Sequence, residues 1–464
     1  MDPLTADAVA RQVGGALLAG DGGVVVRGVT TDSRGPLQGR LFVPLKGERF
    51  DGHDFIHQAL DGGATACFIG PGRPVPESSR AAVIRVDDPL AALQRLATCQ
   101  RARLAARVVA VTGSNGKTTT KDMIAAVASV RWRTVKSQGN YNNEIGLPLA
   151  VLAADRTTEV LVLEMGMRGV GQIRDLARIA KPHVGVVTNV GPVHLELLGT
   201  MEQVARAKAE LVEELSGDGF AVLNADDRRV AAMARRTQAT PVLYGTGTEA
   251  AVRATGIASR IDRGVEFILS WQGRSKPVMV PAPGRHNVHN ALAAAAAALV
   301  LGMDLEEVAA GLLAFPDHAS GMRLEVRERS DGVRVINDAY NASPASMRAA
   351  LDFLAELPAK RKVAVLGDML ELGPAAAEAH RDVGRMCAAA GVAALVAVGR
   401  WAPTVAAEAC KFGIPAGSVF ACRDASEAGE LAAGLVKPGD AVLVKASRGL
   451  RLEQVAERLL AAPE

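Results

Sequence analysis

The segment VTGSNGKTTT, residues 111–120, has the residue types of a phosphate-binding loop. An apolar run, RVVAV, leads into it, and a helix-compatible stretch follows it. In a strand–loop–helix unit the backbone N–H groups and the helix N-terminus face an anion, while Lys117 neutralises charge and Thr118 offers a hydroxyl to Mg²⁺. The loop is shorter than G-x-x-x-x-G-K-[ST], because Val111 stands five residues before Gly116. We therefore expect a nucleoside triphosphate with Mg²⁺ as the ligand of a variant loop, bound by Gly113, Ser114, Asn115, Gly116, Lys117, Thr118 and Thr119.

Two further polar side chains follow strand-like runs. Glu164 ends the run EVLVLE, and His194 follows VVTNVGPV. Ligands of open α/β sheets bind at the carboxyl ends of the strands, so both side chains could converge on the loop. Two simpler interpretations stay open: Glu164 as an exposed strand-end carboxylate, and His194 as a structural hydrogen-bonding residue.

Lys208 lies in the middle of an amphipathic helical pattern, residues 200–215. From the residues alone, a solvated lysine paired with Glu202 or Glu210 is favoured. The segment PGRHNVHNAL begins another helix, with two asparagines spaced to share one face. These two residues, Asn287 and Asn290, could cap that helix or contact an adenine, and capping is the favoured interpretation.

Two asparagine-rich segments exceed what a turn requires. QGNYNNEIG carries three asparagines before an apolar run, and INDAYNASP ends a strand ahead of a helix. That helix, SPASMRAALDFLAEL, has Ser343 as the expected N-cap and Pro344 at its first position. The candidate site residues in these segments are Asn140, Asn142, Asn143, Asp338, Tyr340 and Asn341.

The pattern of elements predicts an α/β protein of three domains. Residues 1–104 carry short β-like runs among glycine-rich turns, which predicts a small α/β domain. In residues 105–316 and 317–464, strand and helix patterns alternate, which favours mostly parallel sheets covered by helices. We expect a P-loop domain in the second region and a Rossmann-like domain in the third, joined by a linker at 313–323.

Composition excludes several classes of protein. The 464 residues have a formal net charge of +3 with no basic stripe, so nucleic acid is not an expected partner. Five scattered cysteines argue against disulfides and structural zinc. The N-terminus lacks a signal-peptide pattern, and no run of apolar residues is long enough to span a bilayer. We expect a cytoplasmic, monomeric protein without membrane insertion.

Taken together, these motifs resemble the ATP-dependent Mur ligases of peptidoglycan synthesis. The short loop TGSNGKT resembles that family's P-loop, and GNYNNEIGLPL, EMGMRG, NDAYNASP and LGDMLELG resemble stretches of one branch. Members of that branch join D-alanyl-D-alanine to UDP-N-acetylmuramoyl-tripeptide through an acyl phosphate. The D-N-P-R-like motif of the branch that adds diaminopimelate or lysine is absent from this sequence.

The resemblance implies a role for each candidate. It implies catalytic roles for Lys117, Lys208 and His194. It implies magnesium ligation by Thr118, Glu164, His194 and, as a carbamate, Lys208. It implies further ATP contacts by Asn287 and Asn290 at the adenine, Arg323 at the phosphates and Asp338 at the ribose. It implies UDP-sugar binding by Ser33, Arg34, Lys46 and Gly47, and a muramyl-peptide path along Asn140, Asn142 and Asn143, with Tyr340 and Asn341 bordering the cleft.

The sequence departs from the family pattern at a few places. Gln172 stands where glutamate is expected, Ala446 replaces a glycine, and SGM precedes Arg323 in place of a proline–glycine pair. Two alternatives remain at this stage. A folylpolyglutamate synthase would use the same scaffold and chemistry, whereas a P-loop switch ATPase would hydrolyse ATP without ligating anything.

Overall fold

Three main β-sheets with flanking helices form the protein, in a computed structural model that describes residues 1–47, 50–76, 80–260, 263–316 and 321–461. The α/β class with mostly parallel sheets is confirmed. Each main sheet is built from one of the three predicted regions. The predicted boundary between the second and third regions touches residues 317–320, which lie outside the described residues.

The first region contains a mixed five-stranded sheet, ordered β2-β7-β6-β5-β4, and a two-stranded antiparallel pair, β1-β3. Its strands are β1 (Leu4–Thr5), β2 (Ala16–Ala19), β3 (Val25–Val26), β4 (Gly28–Thr30), β5 (Arg40–Phe42), β6 (Ala66–Ile69) and β7 (Ala82–Arg85). Its helices are α1 (Ala6–Val13), α2 (Ile56–Asp61) and α3 (Pro89–Arg103), with a 3₁₀ turn at Gly52–Phe55.

The second region forms a nine-stranded sheet, ordered β16-β15-β14-β13-β12-β11-β8-β10-β9. Its strands are β8 (Arg107–Thr112), β9 (Thr134–Lys136), β10 (Val160–Glu164), β11 (Val184–Val187), β12 (Phe220–Asn224), β13 (Thr240–Gly245), β14 (Val252–Arg260), β15 (Gly264–Trp271) and β16 (Arg274–Val280). Its helices are α4 (Lys117–Ala128), α5 (Gly146–Ala153), α6 (Gln172–Ala180), α7 (Leu195–Leu198), α8 (Met201–Glu213), α9 (Arg228–Ala231), α10 (His286–Val300) and α11 (Leu305–Leu313), with a 3₁₀ turn at Ala232–Arg235. The antiparallel edge formed by the last three strands was not predicted from the sequence.

The order of strands reverses at β8, which pairs with β10 on one side and β11 on the other. A crevice opens where strand order reverses, at the carboxyl ends of the strands. The loop that follows β8 therefore lies between the ends of its two neighbours. Alternate residues of β8 pack into two different cores, with Val108 on one face of the sheet and Val109 on the other. This burial on both faces explains why the strand is an uninterrupted apolar run.

The third region forms a six-stranded sheet, ordered β17-β18-β22-β19-β20-β21, in which only the pairing of β17 is antiparallel. Its strands are β17 (Glu325–Glu328), β18 (Arg334–Asn337), β19 (Arg361–Gly367), β20 (Ala394–Val398), β21 (Val419–Cys422) and β22 (Asp440–Lys445). Its helices are α12 (Pro344–Glu356), α13 (Ala376–Ala389), α14 (Ala402–Lys411), α15 (Ala425–Leu435) and α16 (Glu453–Ala461), with 3₁₀ turns at Gly373–Ala375, Ala416–Ser418 and Arg448–Leu450. The predicted cap of α12 is confirmed, with Ser343 at the N-cap and Pro344 at the first helical position.

The first and second regions share one continuous hydrophobic core, which contains residues from α1, α3, β8, β10 and α6. Arg101 at the end of α3 strengthens this junction, because its guanidinium donates to the carbonyls of Ala180 at 2.7 Å and Lys181 at 3.2 Å. The third region has its own cores on the two faces of its sheet. Among the described residues, no helix is long and apolar enough to cross a membrane.

Candidate active site

A cleft of about 2080 Å³ is lined by residues of all three regions. It collects most of the predicted site residues, namely Gly113, Ser114, Asn115, Gly116, Lys117, Thr118, Thr119, Asn140, Asn142, Asn143, Glu164, His194, Lys208, Asn287, Asn290, Arg323, Asp338, Tyr340 and Asn341. The crevice at the end of β8 forms the centre of this cleft, so the sequence-based expectation of convergence matches the observed arrangement.

Two glycines allow the loop to lie against its neighbours. A Cβ on Gly113 would lie 1.8 Å from Oγ1 of Thr188, which follows β11. Gly116 is the N-cap of α4 with a φ of +79°, and a Cβ there would lie 2.4 Å from Oδ1 of Asn290. Any other residue at either position would displace a neighbour, and both glycines have a positive φ, which L-residues rarely adopt. The loop is therefore held close to β11 and α10.

The residues after β11 hold the loop from the other side. Asn189 accepts the N–H of Asn115 at 2.9 Å and donates its amide to the carbonyl of the same residue at 3.0 Å. Ser114 Oγ accepts the N–H of Gly191 at 2.8 Å. These contacts fix the position of the loop, and a pre-organised cradle needs little reorganisation when a phosphate binds.

Lys117 curls back over the loop. Its Nζ donates to the carbonyls of Gly113 at 2.8 Å and Ser114 at 3.3 Å. Burial lowers the pKa of Lys117, while Glu164 opposes this change and Arg323 adds to it. Among the described residues, no carboxylate forms an ion pair with this ammonium. A phosphate in the loop would supply the missing negative charge.

Glu164 and Thr118 meet at the end of β10. Thr118 Oγ1 donates to one carboxylate oxygen of Glu164 at 2.7 Å, and Asn142 donates its amide to the other at 2.8 Å. Glu164 is buried, so the interpretation as an exposed strand-end carboxylate is wrong. Mg²⁺ is usually held by one or two carboxylates together with substrate phosphates and water. The pair of Thr118 and Glu164 beside the phosphate loop fits that donor set. Within the described ranges, no cluster of three or more His, Cys, Asp or Glu could hold a metal by itself.

Lys208 is buried in the cleft wall and is 2% exposed. The favoured ion pairs do not form: Glu202 pairs with Arg229, and Glu210 accepts the backbone N–H groups of Gly171 and Arg174. In the part of the chain that the structure describes, the Lys208 ammonium has no hydrogen-bond partner. Burial first, and then the charge of Lys117, hold the pKa of Lys208 well below its usual range. The sequence-based interpretation of a solvated, paired lysine is therefore wrong.

His194 lies at the start of the short helix α7 with a φ of +55°. Its Nδ1 lies 2.5 Å from a carboxylate oxygen of Glu371, a residue of the third region. Burial lowers the pKa of His194 more than this carboxylate raises it. The ring makes a structural hydrogen bond and also lines the cleft, so the two interpretations made from the sequence are compatible.

Asn287 and Asn290 do not cap α10, whose N-cap residue Arg285 makes no side-chain capping bond. Asn287 donates to the carbonyl of Pro283 at 2.7 Å and accepts from Asn290 at 2.8 Å. Asn290 also accepts from the hydroxyl of Thr120 on α4 at 3.2 Å. The favoured capping interpretation is wrong, because the two side chains bond to each other and Asn290 joins α10 to the phosphate-loop helix.

The third region contributes a cation and a buried ion pair. The Arg323 guanidinium stacks 4.1 Å from the ring centre of Tyr340. Asp338 accepts from the Lys445 ammonium at 2.6 Å and from the N–H of Leu324 at 3.2 Å. Both oxygens of Asp338 are thus engaged. The carboxylate links the end of β18 to the end of β22 and to the residue before β17. Sequence reasoning missed Lys445, although it ends the apolar run DAVLVK, the same signal that identified Glu164.

Comparison with known proteins agrees with this geometry. Sequence models of the Mur ligase middle domain, of the Mur ligase glutamate ligase domain and of the Mur ligase family catalytic domain match residues 111–298, 322–448 and 25–101. The UDP-N-acetylmuramoyl-tripeptide–D-alanyl-D-alanine ligase of Bacillus subtilis is 40% identical over 441 residues, covering 95% of this chain and 94% of that protein. The chain belongs to the Mur ligase family.

Solved structures extend the similarity to the whole architecture. MurF from Acinetobacter baumannii superimposes with a TM-score of 0.86 at 31% identity, covering 99% of each chain. The MurF ligase of Thermotoga maritima in complex with ADP superimposes with a TM-score of 0.79 at 30% identity, covering 94% of this chain and 97% of that one.

Four predicted residues of this Mur ligase do not line the cleft, although Thr31 of the same segment does. Ser33 donates to Gln58, and Arg34 pairs with Asp32 on the surface. The other two, Lys46 and Gly47, form backbone bridges to Asp51 and Phe50. The structure keeps all four on the first region, away from the phosphate loop.

Two residues that connect the second and third regions were not predicted as site residues. Glu371 contacts His194, and the Ser343 hydroxyl donates to Oδ1 of Asn115 at 2.8 Å. Ser343 was recognised only as a helix cap. No local signal marks either contact, because each one depends on how the third region is placed over the loop.

Proposed function

We propose that the chain is an ATP-dependent ligase that joins D-alanyl-D-alanine to UDP-N-acetylmuramoyl-tripeptide. The observation that carries the proposal is a single cleft in which a phosphate loop, a carboxylate–hydroxyl pair and side chains of the third region face one another. A ligase of this kind must hold a nucleotide beside two other substrates. The names of the curated relative and of the two solved structures support this choice of substrates.

The reaction forms an amide from a carboxylate, which is a poor electrophile because its leaving group would be oxide. The terminal carboxylate oxygen of the tripeptide attacks the γ-phosphorus of ATP, ADP leaves, and an acyl phosphate forms. The amine of the dipeptide attacks the acyl carbon, loses a proton and expels inorganic phosphate. Both steps develop negative charge, which fixed cations and oriented N–H groups stabilise.

In this mechanism, Lys117 and the loop N–H groups would hold the β- and γ-phosphates. Arg323 would approach the phosphates from the third region. Thr118 and Glu164, together with His194 and, as a carbamate, Lys208, would hold Mg²⁺, which would neutralise charge on the transferred phosphoryl group. We further propose that the regions 1–104, 105–316 and 317–464 act as a UDP-muramyl-peptide-binding domain, an ATP-binding domain and a Rossmann-like ligase domain, in a cytoplasmic monomer.

Lys208 fits the carbamate that the family resemblance implies. A neutral amine attacks the carbon of CO₂, forming an N–C bond and releasing one proton, and the product is a carboxylate-like anion. The buried position without a carboxylate partner and the lowered pKa of Lys208 both favour the neutral amine. The resulting negative group would face Lys117, replacing a repulsion between two lysines with an attraction.

A folylpolyglutamate synthase is the weaker alternative, because the relative that is 40% identical over 95% of the chain carries the other name. Phosphate release from ATP and Mg²⁺ distinguishes the candidates, with tripeptide and dipeptide substrates added separately and together. Release that requires both, with a UDP-linked pentapeptide identified by mass, is the expected result. Release with neither would favour a P-loop switch, and turnover only with a folate and glutamate would favour the synthase.

A further inference from the structure

A contact between the side chains of His194 and Glu371 joins the second and third regions in the cleft beside the phosphate loop. The His194 ring and the Glu371 carboxylate lie 2.5 Å apart, and both residues have a positive φ, +55° and +62°. Neither is glycine, so each backbone adopts a conformation that L-residues rarely take. Such conformations persist only where the surrounding structure imposes them. The two residues with this unusual backbone conformation are the two whose side chains form the contact.

The backbone around this contact is also closely packed. The N–H of Glu196 on α7 points to the carbonyl of Glu371 at 3.4 Å. A Cβ on Gly373, whose φ is +53°, would lie 3.2 Å from Cα of Glu196. We call the segments 194–196 and 371–373 the docking seam. No bulkier residue than glycine fits at position 373 without moving the two segments apart.

A second contact lies on the phosphate loop itself, where Ser343 donates to the Asn115 side chain. The third region thus touches the loop face of the cleft at two separate points. The first and second regions, in contrast, share a continuous core. The contacts that His194 makes across the docking seam therefore depend on where the third region lies.

We propose that Glu371 is a positioning residue that fixes the ring orientation and tautomer of His194 when the third region docks on the phosphate loop. This inference rests on the proposed function, since the reaction gives His194 its task. A carboxylate that accepts from Nδ1–H leaves the lone pair on Nε2. Nε2 has no hydrogen-bond partner among the described residues, so it is available to a group bound in the cleft. Partners of this kind orient ligating histidines in metal sites.

The kinetic test compares E371A and E371Q with wild type. We expect kcat of E371A to fall about 10–100-fold with little change in KM for ATP, as for loss of an orienting partner. E371Q keeps an acceptor oxygen and should retain more activity. The matched control is E378A, which removes another glutamate of the third region, one paired with Arg381 and Arg385 on the surface. Equal kcat in wild type and E371A would overturn the proposal.

The second readout does not depend on turnover. The chain has eight histidines, so ¹⁵N-histidine labelling with an H194Q variant for assignment identifies the ring signals of residue 194. Spectra are recorded with a non-hydrolysable ATP analogue and the tripeptide, at a pH where the ring is neutral. We expect a single Nδ1–H tautomer in wild type and a mixture or the other tautomer in E371A.

An unchanged tautomer in E371A would refute the positioning role even if the ligase assay succeeds. Failure of wild type to form the pentapeptide would refute the proposed function, while the spectra would still report on Glu371. G373A tests the same seam without removing the carboxylate, and it should change the His194 signals in the same direction. Thermal unfolding of each variant checks that the fold is retained.

Discussion

A carbamate on Lys208, which the family resemblance implies, is the prediction that can be tested most directly. An amine reacts with CO₂ only after it has lost its proton. A lysine with an ordinary pKa of about 10.4 is neutral in a fraction on the order of 10⁻³ of molecules at pH 7.4. Burial and the neighbouring Lys117 lower the pKa of Lys208, so the neutral fraction rises. Because the neutral fraction cannot exceed one, the neutral fraction of Lys208 is at most about 10³-fold larger than that of an exposed lysine.

The assay is ¹³C NMR of the protein in ¹³C-bicarbonate. We expect a carbamate carbon signal in wild type that is lost in K208M and in K208R, since an arginine side chain stays protonated. K411M is the matched control, because Lys411 is an exposed lysine whose side chain is 70% accessible. Removal of CO₂ should lower ligase activity, and bicarbonate should restore it. A wild-type spectrum identical to that of K208M in bicarbonate would refute the reasoning.

Three other substitutions test separate parts of the site. K117A should lower kcat by a factor on the order of 10²–10³, measured as initial phosphate release at saturating substrate, because it removes a fixed cation from the charge that develops; near-normal turnover would contradict the mechanism. G113A should weaken ADP binding by about tenfold or more, or about 1.4 kcal/mol, in calorimetry, because its Cβ would displace Thr188 and distort the loop; unchanged affinity would show that the loop tolerates the shift. R323A should cost about 1.5–3 kcal/mol of transition-state binding, read from kcat/KM for ATP, if the guanidinium stacked on Tyr340 contacts a phosphate; an effect no larger than that of R381A would argue against phosphate contact.

The phosphate loop and the strand ends could be predicted from the sequence because their signals are local. Backbone sterics require glycine at Gly116, and an apolar run that ends in a charged residue marks a strand and its carboxyl end. Glu164 and the cap at Ser343 were found in this way, and the structure has both where the sequence predicts them. The family resemblance added roles for these residues that their local patterns do not carry.

Two predictions that depended on the environment of a side chain were wrong. The sequence around Lys208 has the pattern of a solvated, charged helix face. In the structure Lys208 lies in the cleft wall, and Glu210 accepts backbone N–H groups at the start of α6. Asn287 and Asn290 looked like caps, yet they bond to each other, and Asn290 links α10 to α4 through Thr120. Local spacing fixes which face of a helix a residue occupies, whereas burial of that face depends on what packs against it.

The sequence by itself determined the chemistry of the loop, the strand runs and the α/β class, since each depends on residues close together in the chain. Only the tertiary structure decided which of these features meet. Asp338 and Lys445 are 107 residues apart and become neighbours because β18 and β22 pair in parallel. His194 and Glu371 are 177 residues apart and meet only because the third region lies over the loop. Such pairings depend on strand order and on how the regions pack, because the free energy of the whole chain selects them. A short stretch of sequence therefore does not reveal them.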